Sequence, residues 1–360
     1  MAAQRSLFAL RRPSHMAERE WHELLTGTER FWVDAVRDLD AQVVAHPEDV
    51  VSLSREAGWV DALTNSGLDR DSVAAAMAWC AGAGAAGVPF SVVAAAIQAD
   101  TGRQGRIAWP GISGGHHVEV SAEASSPTAT GTVDWLTPDL PPTVTVEAVK
   151  GDTGEVTHFD VRTNGAGIAV RDLCVDHVLF GRRVHLDRVP ADRAAEVSRS
   201  GAPLERLQAS ICAYVLGMAG HVLETVVEHV ELRSQFGRKI ATFQSVQHRL
   251  ADLATAFAVC DIARLDLVEA DADELGAASS SGLSAVYESI VLLGDSCRWA
   301  HQFTGGIGYT RELDLHQASN AAAHLSMLFD VESDLRAQFT SEWLGDNQMS
   351  QGEGYPWHVR

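Results

Sequence analysis

The chain has 360 residues, 46% hydrophobic and 21% charged, the balance of a soluble globular protein with one large core or two to three packed subdomains. Its formal charge of −20, from 28 basic and 48 acidic residues, argues against a phosphate-backbone binder, since nucleic-acid affinity needs clustered Lys and Arg. No apolar run approaches the about 20 residues of a spanning helix, so a membrane-embedded protein is not expected.

Residues 1–16, MAAQRSLFALRRPSHM, carry three arginines and no acid before Glu18, and read as a leader or tag outside the fold. Residues 17–104 are helical in character. Phe31, Val33, Val36 and Leu39 fall at helical spacings, and the alanine-rich stretch Val73–Ala99 gives two closely packed helices split by Gly87, Val88 and Pro89. Residues 105–195 change to short alternating runs, HHVEVSAEA, TGTVDWLT, TVTVEAV, VTHFDVRT and DHVLFGRRVHL, separated by Gly, Pro and Asp. These predict a small antiparallel β domain.

Helices return over residues 196–345, ahead of a tail at 346–360. Leu204, Leu207, Ile211, Val215, Met218 and Val222 form one stripe, and Phe243, Val246, Leu250, Leu253 and Phe257 a second. Leu283, Val286, Ile290, Leu293 and Cys297 form a third. Short connections between them predict an up-down four-helix bundle, so the expected fold class is α+β, mostly α, in three parts. The five cysteines, Cys80, Cys174, Cys212, Cys260 and Cys297, form no CxxC pair and read as reduced core residues of a cytoplasmic protein, with no metal site.

Two segments stand out on the helical part. RSQFGRKIATFQ, Arg233–Gln244, places a glycine inside a long helical pattern, where it costs about 1 kcal/mol against alanine. HQFTGGIGYTRELDL follows at residues 301–315. The guanidinium of the first suits a pyrophosphate, and the paired glycines of the second allow backbone N–H groups to approach one. Read without further context, Phe236, Gly237 and Phe243 simply turn the chain between two helices.

With the three-part order, these segments resemble the acyl-CoA dehydrogenase family over roughly residues 50–340, as a divergent, actinobacterial type of member. The resemblance implies FAD held at a subunit interface, with Arg233, Phe236, Gln244, Gln302, Gly305 and Gly306 around its adenine and pyrophosphate. VDWLTPD is similar to the family's Trp-x-Thr element, which would put Trp135 and Thr137 on the flavin ring; the bland alternative is a half-buried strand Trp and a turn Thr.

The chain departs from the family nearer the reacting ring. Where a Thr-Glu-Pro loop is expected it reads IAWPGISGG, with Ala108 and Trp109 in place of the Thr and Glu, and hydrogen bonds to flavin would be lost. A dehydrogenase of this type needs a carboxylate to remove the α-proton of an acyl thioester while flavin takes the β-hydride. Direct alignment puts Phe329 at that position, leaving Asp330, one residue on, or Glu205, ahead of the Arg-x-x-Phe-Gly segment, as candidate bases. Each is equally a surface acid near a helix end.

Three readings follow. The first is a flavin-dependent dehydrogenase acting on an acyl thioester of coenzyme A or a carrier protein, in a homo-oligomer or a hetero-oligomer with a second family member. The second is a non-catalytic partner subunit completing another chain's FAD site. The third is a repurposed fold doing acid–base or cyclisation chemistry with His116, His117, His316 or His324, each more simply a solvated loop or helix-face histidine.

Overall fold

A computed structural model describes parts of residues 77–94, and residues 118–121, 127–137, 140–149, 156–175, 179–193, 202–269 and 279–328. The leader, Trp21–Leu39, the IAWPGISGG loop, His116, His117 and Asp330 lie outside these described residues.

The middle of the chain forms an antiparallel sheet of β1 (Glu119–Val120), β2 (Thr128–Trp135), β3 (Thr143–Val149), β4 (Val156–Arg162), β5 (Ile168–Val175) and β6 (Leu179–Arg193). The order is β1-β2-β6-β4-β3, with β5 on β6. β6 is the organiser: its first part pairs with both β2 and β5, and Ala191–Arg193 pair with β4. Alternate residues close one core, including Val133, Trp135, Val144, Val146, Val161, Val184 and Leu186.

Two strands differ from the sequence expectation. β5 was not among the expected runs, because its outward residues include Arg171, Asp172 and a half-exposed Val170, which blur the alternation of an edge strand. β6 runs past Leu186 to Arg193, carried through Pro190 by its ladder to β2 and β4.

The opposite face of β2 and β6 carries an ion pair. Asp134, fully buried, accepts from Arg183 Nε at 2.7 Å and Nη2 at 2.8 Å. The carboxylate holds the Arg183 guanidinium above its ordinary pKa, chiefly through this hydrogen bond.

Among the described residues four α-helices follow: α1 (Ala202–Leu232), α2 (Gln244–Glu269), α3 (Ser279–Thr304) and α4 (Leu315–Leu328). α3 packs on each of the other three, and α1 also meets α2 and α4. Ile211, Val215, Met218 and Val222 of the first expected stripe are buried, as are Val286, Ile290, Leu293 and Cys297 of the third; of the second, Val246 and Leu253 are buried and the rest half-buried.

α1 is the central element, and it corrects one expectation. Ala209–Leu232 is long and apolar enough to cross a membrane by composition, but 67% of its most apolar window is buried inside the protein, as befits a core helix. The alanine-rich residues around 77–94 lie directly against it. A Cβ at Gly84 would collide with the Tyr214 carbonyl and one at Gly217 with the Ala81 carbonyl, so only glycine permits this crossing. Tyr214 donates to the Val88 carbonyl at 2.7 Å, satisfying its buried hydroxyl.

Cys80, Cys212, Cys260 and Cys297 are buried free thiols, whereas Cys174 on β5 is exposed, contrary to its reading as a core residue. Burial pushes the Cys80 and Cys212 thiols up to about 12 and those of Cys260 and Cys297 to about 11.

Candidate functional site

The glycine of RSQFGRKIATFQ breaks the helical text by making a hairpin. β7 (Ser234–Gln235) pairs with β8 (Arg238–Lys239), and Phe236 and Gly237 form the two-residue turn with φ of 53° and 77°. Positive φ at both central residues is the demand of a tight hairpin turn, which suits Gly237 and strains Phe236. The Ile240 N–H donates to the Arg233 carbonyl at 2.9 Å, closing the hairpin, and residues 240–242 form one 3₁₀ turn into α2.

Little of this hairpin is used for internal packing. Phe236 is 91% exposed and stands edge-on to Phe243, centroids 6.3 Å apart, while Arg238 lies over the Phe243 ring at 4.0 Å. Arg233 is exposed and, among the described residues, has no carboxylate partner. Gln244 is exposed, its Nε2 3.3 Å from His248 Nε2. His229, one turn before Arg233, has a buried Nε2 without a hydrogen-bond partner; desolvation, and then the Arg233 charge, lower its pKa.

The second segment ends α3. Gln302 is exposed on its last turn, and residues Gly305–Tyr309 continue as a 3₁₀ helix. Gly305 has a φ of 61°, which explains that glycine by its backbone. Gly306 has no such φ, and a Cβ there would meet nothing within 4 Å. Among the described residues, neither conformation nor crowding selects glycine at this position.

The two segments share one end of the helices. Arg249 of α2 lies over Trp299 of α3 at 4.3 Å, while further along Glu288 acts electrostatically on the Cys260 thiol. These contacts run α2 antiparallel to α3, setting the start of α2 at Gln244 alongside the end of α3 at Gln302–Thr304. An exposed guanidinium, two exposed glutamines and a bare glycine backbone thus lie at one pole, a donor set that fits a pyrophosphate.

Trp135 and Thr137 lie elsewhere, at the end of β2. Both are buried, and the indole Nε1–H donates to Thr137 Oγ1 at 2.8 Å. Glu205 falls in the first turn of α1, but its side chain is outside the described residues, as is Asp330. His324 Nδ1 donates to the Asn320 carbonyl at 2.7 Å, and His316 has a buried Nδ1 with no hydrogen-bond partner. The sequence reading did not single out Arg238, His229, His301 or Tyr309. The signal for Tyr309 was its place three residues after Gly306, one 3₁₀ turn away.

The antiparallel sheet thus precedes a helical part that carries a bare-backbone, guanidinium-flanked pole. Residues 197–328 match the family model described as "Acyl-CoA dehydrogenase, C-terminal domain". Acyl-CoA dehydrogenase FadE34 of Mycobacterium tuberculosis is 35% identical over 120 residues, covering 32% of this chain and 17% of FadE34; the chain thus spans well under two thirds of that relative's length. The ChsE4-ChsE5 complex from Mycobacterium tuberculosis has the same fold, with TM-score 0.66 and 20% identity over 88% of this chain and 97% of that one. So does a glutaryl-CoA dehydrogenase from Mycobacterium smegmatis in complex with FADH2, with TM-score 0.60 and 20% identity over 85% and 91%. Residues 197–328 thus resemble the C-terminal domain of acyl-CoA dehydrogenases, and the chain shares the fold of these solved structures.

Proposed function

We propose that the chain is an acyl-CoA dehydrogenase-like flavoprotein that desaturates an acyl thioester, of coenzyme A or a carrier protein, with FAD shared across a subunit interface. The observation that carries this is the solvent-facing pole of Arg233, Gln244, Gln302 and Gly306, where a Cβ on the glycine would meet nothing within 4 Å. Arg233 would pair with the pyrophosphate, Gly305 and Gly306 would offer backbone N–H groups, and Gln244 and Gln302 would orient the adenine end. Strained and exposed, Phe236 would find its packing partner in the bound nucleotide or the neighbouring subunit. When bound, FAD supplies the acceptor for the substrate's β-hydride.

Asp330 or Glu205 would act as the base that removes the α-proton. Trp135 and Thr137 would form a wall of the flavin-ring pocket. The Thr137 hydroxyl fixes the plane of the Trp135 indole by accepting from its Nε1–H.

A second reading, a partner subunit completing another chain's FAD site, is favoured by the relative solved as a complex of two differently named chains. It also suits a chain whose adenine-side residues match the family while Ala108, Trp109 and Phe329 replace the polar groups expected at the reacting end. Visible spectra of the chain purified alone and after coexpression with a second family member test both. A yellow protein alone, bleached by an acyl thioester, supports the first reading. Flavin and activity only on coexpression support the second, and a colourless protein that takes up no FAD in either preparation refutes both.

A further inference from the structure

We propose that Tyr309 is the stacking platform for the purine base of the bound dinucleotide, and that His301 is the positioning residue behind it; this rests on the flavin reading above. Side chains three apart eclipse in a 3₁₀ helix, so Tyr309 stands directly over Gly306, whose missing Cβ leaves the space beside the ring open. Tyr309 is 75% exposed, yet its ring lies on the imidazole of His301, with centroids 4.5 Å apart and planes 18° from parallel. One face of the phenol ring is therefore backed and the other is free. An aromatic serving only the core would bury both.

The imidazole is itself fixed. Ser319 Oγ donates to the Leu315 carbonyl at 2.9 Å, so toward His301 its oxygen accepts, and the 2.9 Å contact assigns the proton to His301 Nε2. That bond sets the tautomer and plane of the ring. His301 Nδ1 is then a lone-pair nitrogen, buried without a hydrogen-bond partner, and a Cβ at Gly308 would come within 3.4 Å of it. An apolar side chain would fill this place without leaving a nitrogen unpaired. What the imidazole supplies is a flat face held parallel to Tyr309.

The test is titration of the full-length chain with FAD, FMN and ADP, followed by ligand or protein fluorescence. Loss of base–aromatic stacking in Tyr309→Ala is expected to weaken FAD and ADP by roughly 5- to 150-fold and leave FMN, which has no purine, unchanged. Tyr309→Phe should retain binding, and Tyr309→Leu, which keeps apolar bulk without a π-face, should behave like alanine. His301→Ala should weaken the same two ligands, and His301→Phe should restore them, an outcome that a merely structural histidine would not give.

Wild-type binding of FAD with an unaltered affinity in Tyr309→Ala and Tyr309→Leu overturns the inference and leaves the flavin reading standing. ADP binding that depends on Tyr309, in a chain that takes up no FAD, supports the platform and refutes the flavin reading. Binding of neither ligand by the wild type overturns both.

Discussion

Gly306→Ala separates the chain's own stability from its binding of a nucleotide. The added methyl meets no atom within 4 Å, and the position lies outside the left-handed region, so nothing in the folded chain opposes it. Removing glycine's freedom from the unfolded state should stabilise the apoprotein by roughly 0.4–1 kcal/mol. The same methyl stands where a pyrophosphate would approach the backbone. Overpacking a close contact costs roughly 1–3 kcal/mol, or about 5- to 150-fold in FAD affinity. Gly305→Ala is the control: at a φ of 61° it is strained and should destabilise the apoprotein by roughly 1–2 kcal/mol. Chemical denaturation of the apoprotein and FAD titration measure the two effects separately. If Gly306→Ala binds FAD as tightly as the wild type, the reading of this glycine as a ligand cradle is wrong.

Arg183→Met removes the bidentate cation from the fully buried Asp134 carboxylate and should cost roughly 3–5 kcal/mol by denaturant unfolding; a loss under 1 kcal/mol would show that Arg183 is not the main support of that charge. Under native conditions a thiol reagent should label Cys174 quickly and the four buried thiols only after unfolding, with Cys174→Ser abolishing the fast phase. Burial lowers the pKa of His221, and burial with the Arg233 charge lowers that of His229. As pH falls below the ordinary histidine value near 6.5, the unfolded chain therefore takes up protons that the folded chain does not, and stability is lost. A pH series of unfolding free energies for His221→Gln should show a shallower acid slope than the wild type, and an equal slope would contradict the assignment.

The sequence was most legible where periodicity met burial. The apolar stripes of α1 and α3 and the alternation of β2, β3 and β4 follow directly from which side chains enter the two cores. It was less legible where exposure breaks the pattern: β5 carries charges on its faces as an edge strand, and Cys174 sits on that strand and not in the core. Gly237 marked a chain break, but its hairpin depends on Phe236 adopting positive φ, which residue identity does not announce. The near-apolar length of α1 was also hidden, because single polar residues interrupt its text without lowering its overall apolarity. At the site, Arg233, Gln244, Gln302 and the glycine pair were legible as a motif. The His301–Tyr309 stack was not, since it joins a helix to a 3₁₀ turn and is set by a hydrogen bond from a third element, α4.

The central claim is that the pole formed by Arg233, Gln244, Gln302 and Gly306 holds a flavin dinucleotide. The visible absorption spectrum of the purified full-length chain, alone and coexpressed with a second family member, tests it most directly. The account predicts a flavin spectrum in at least one preparation, lost or strongly weakened when Arg233→Gln and Gly306→Ala are combined. A protein that remains colourless in both, and that cannot be reconstituted with added FAD, would contradict it.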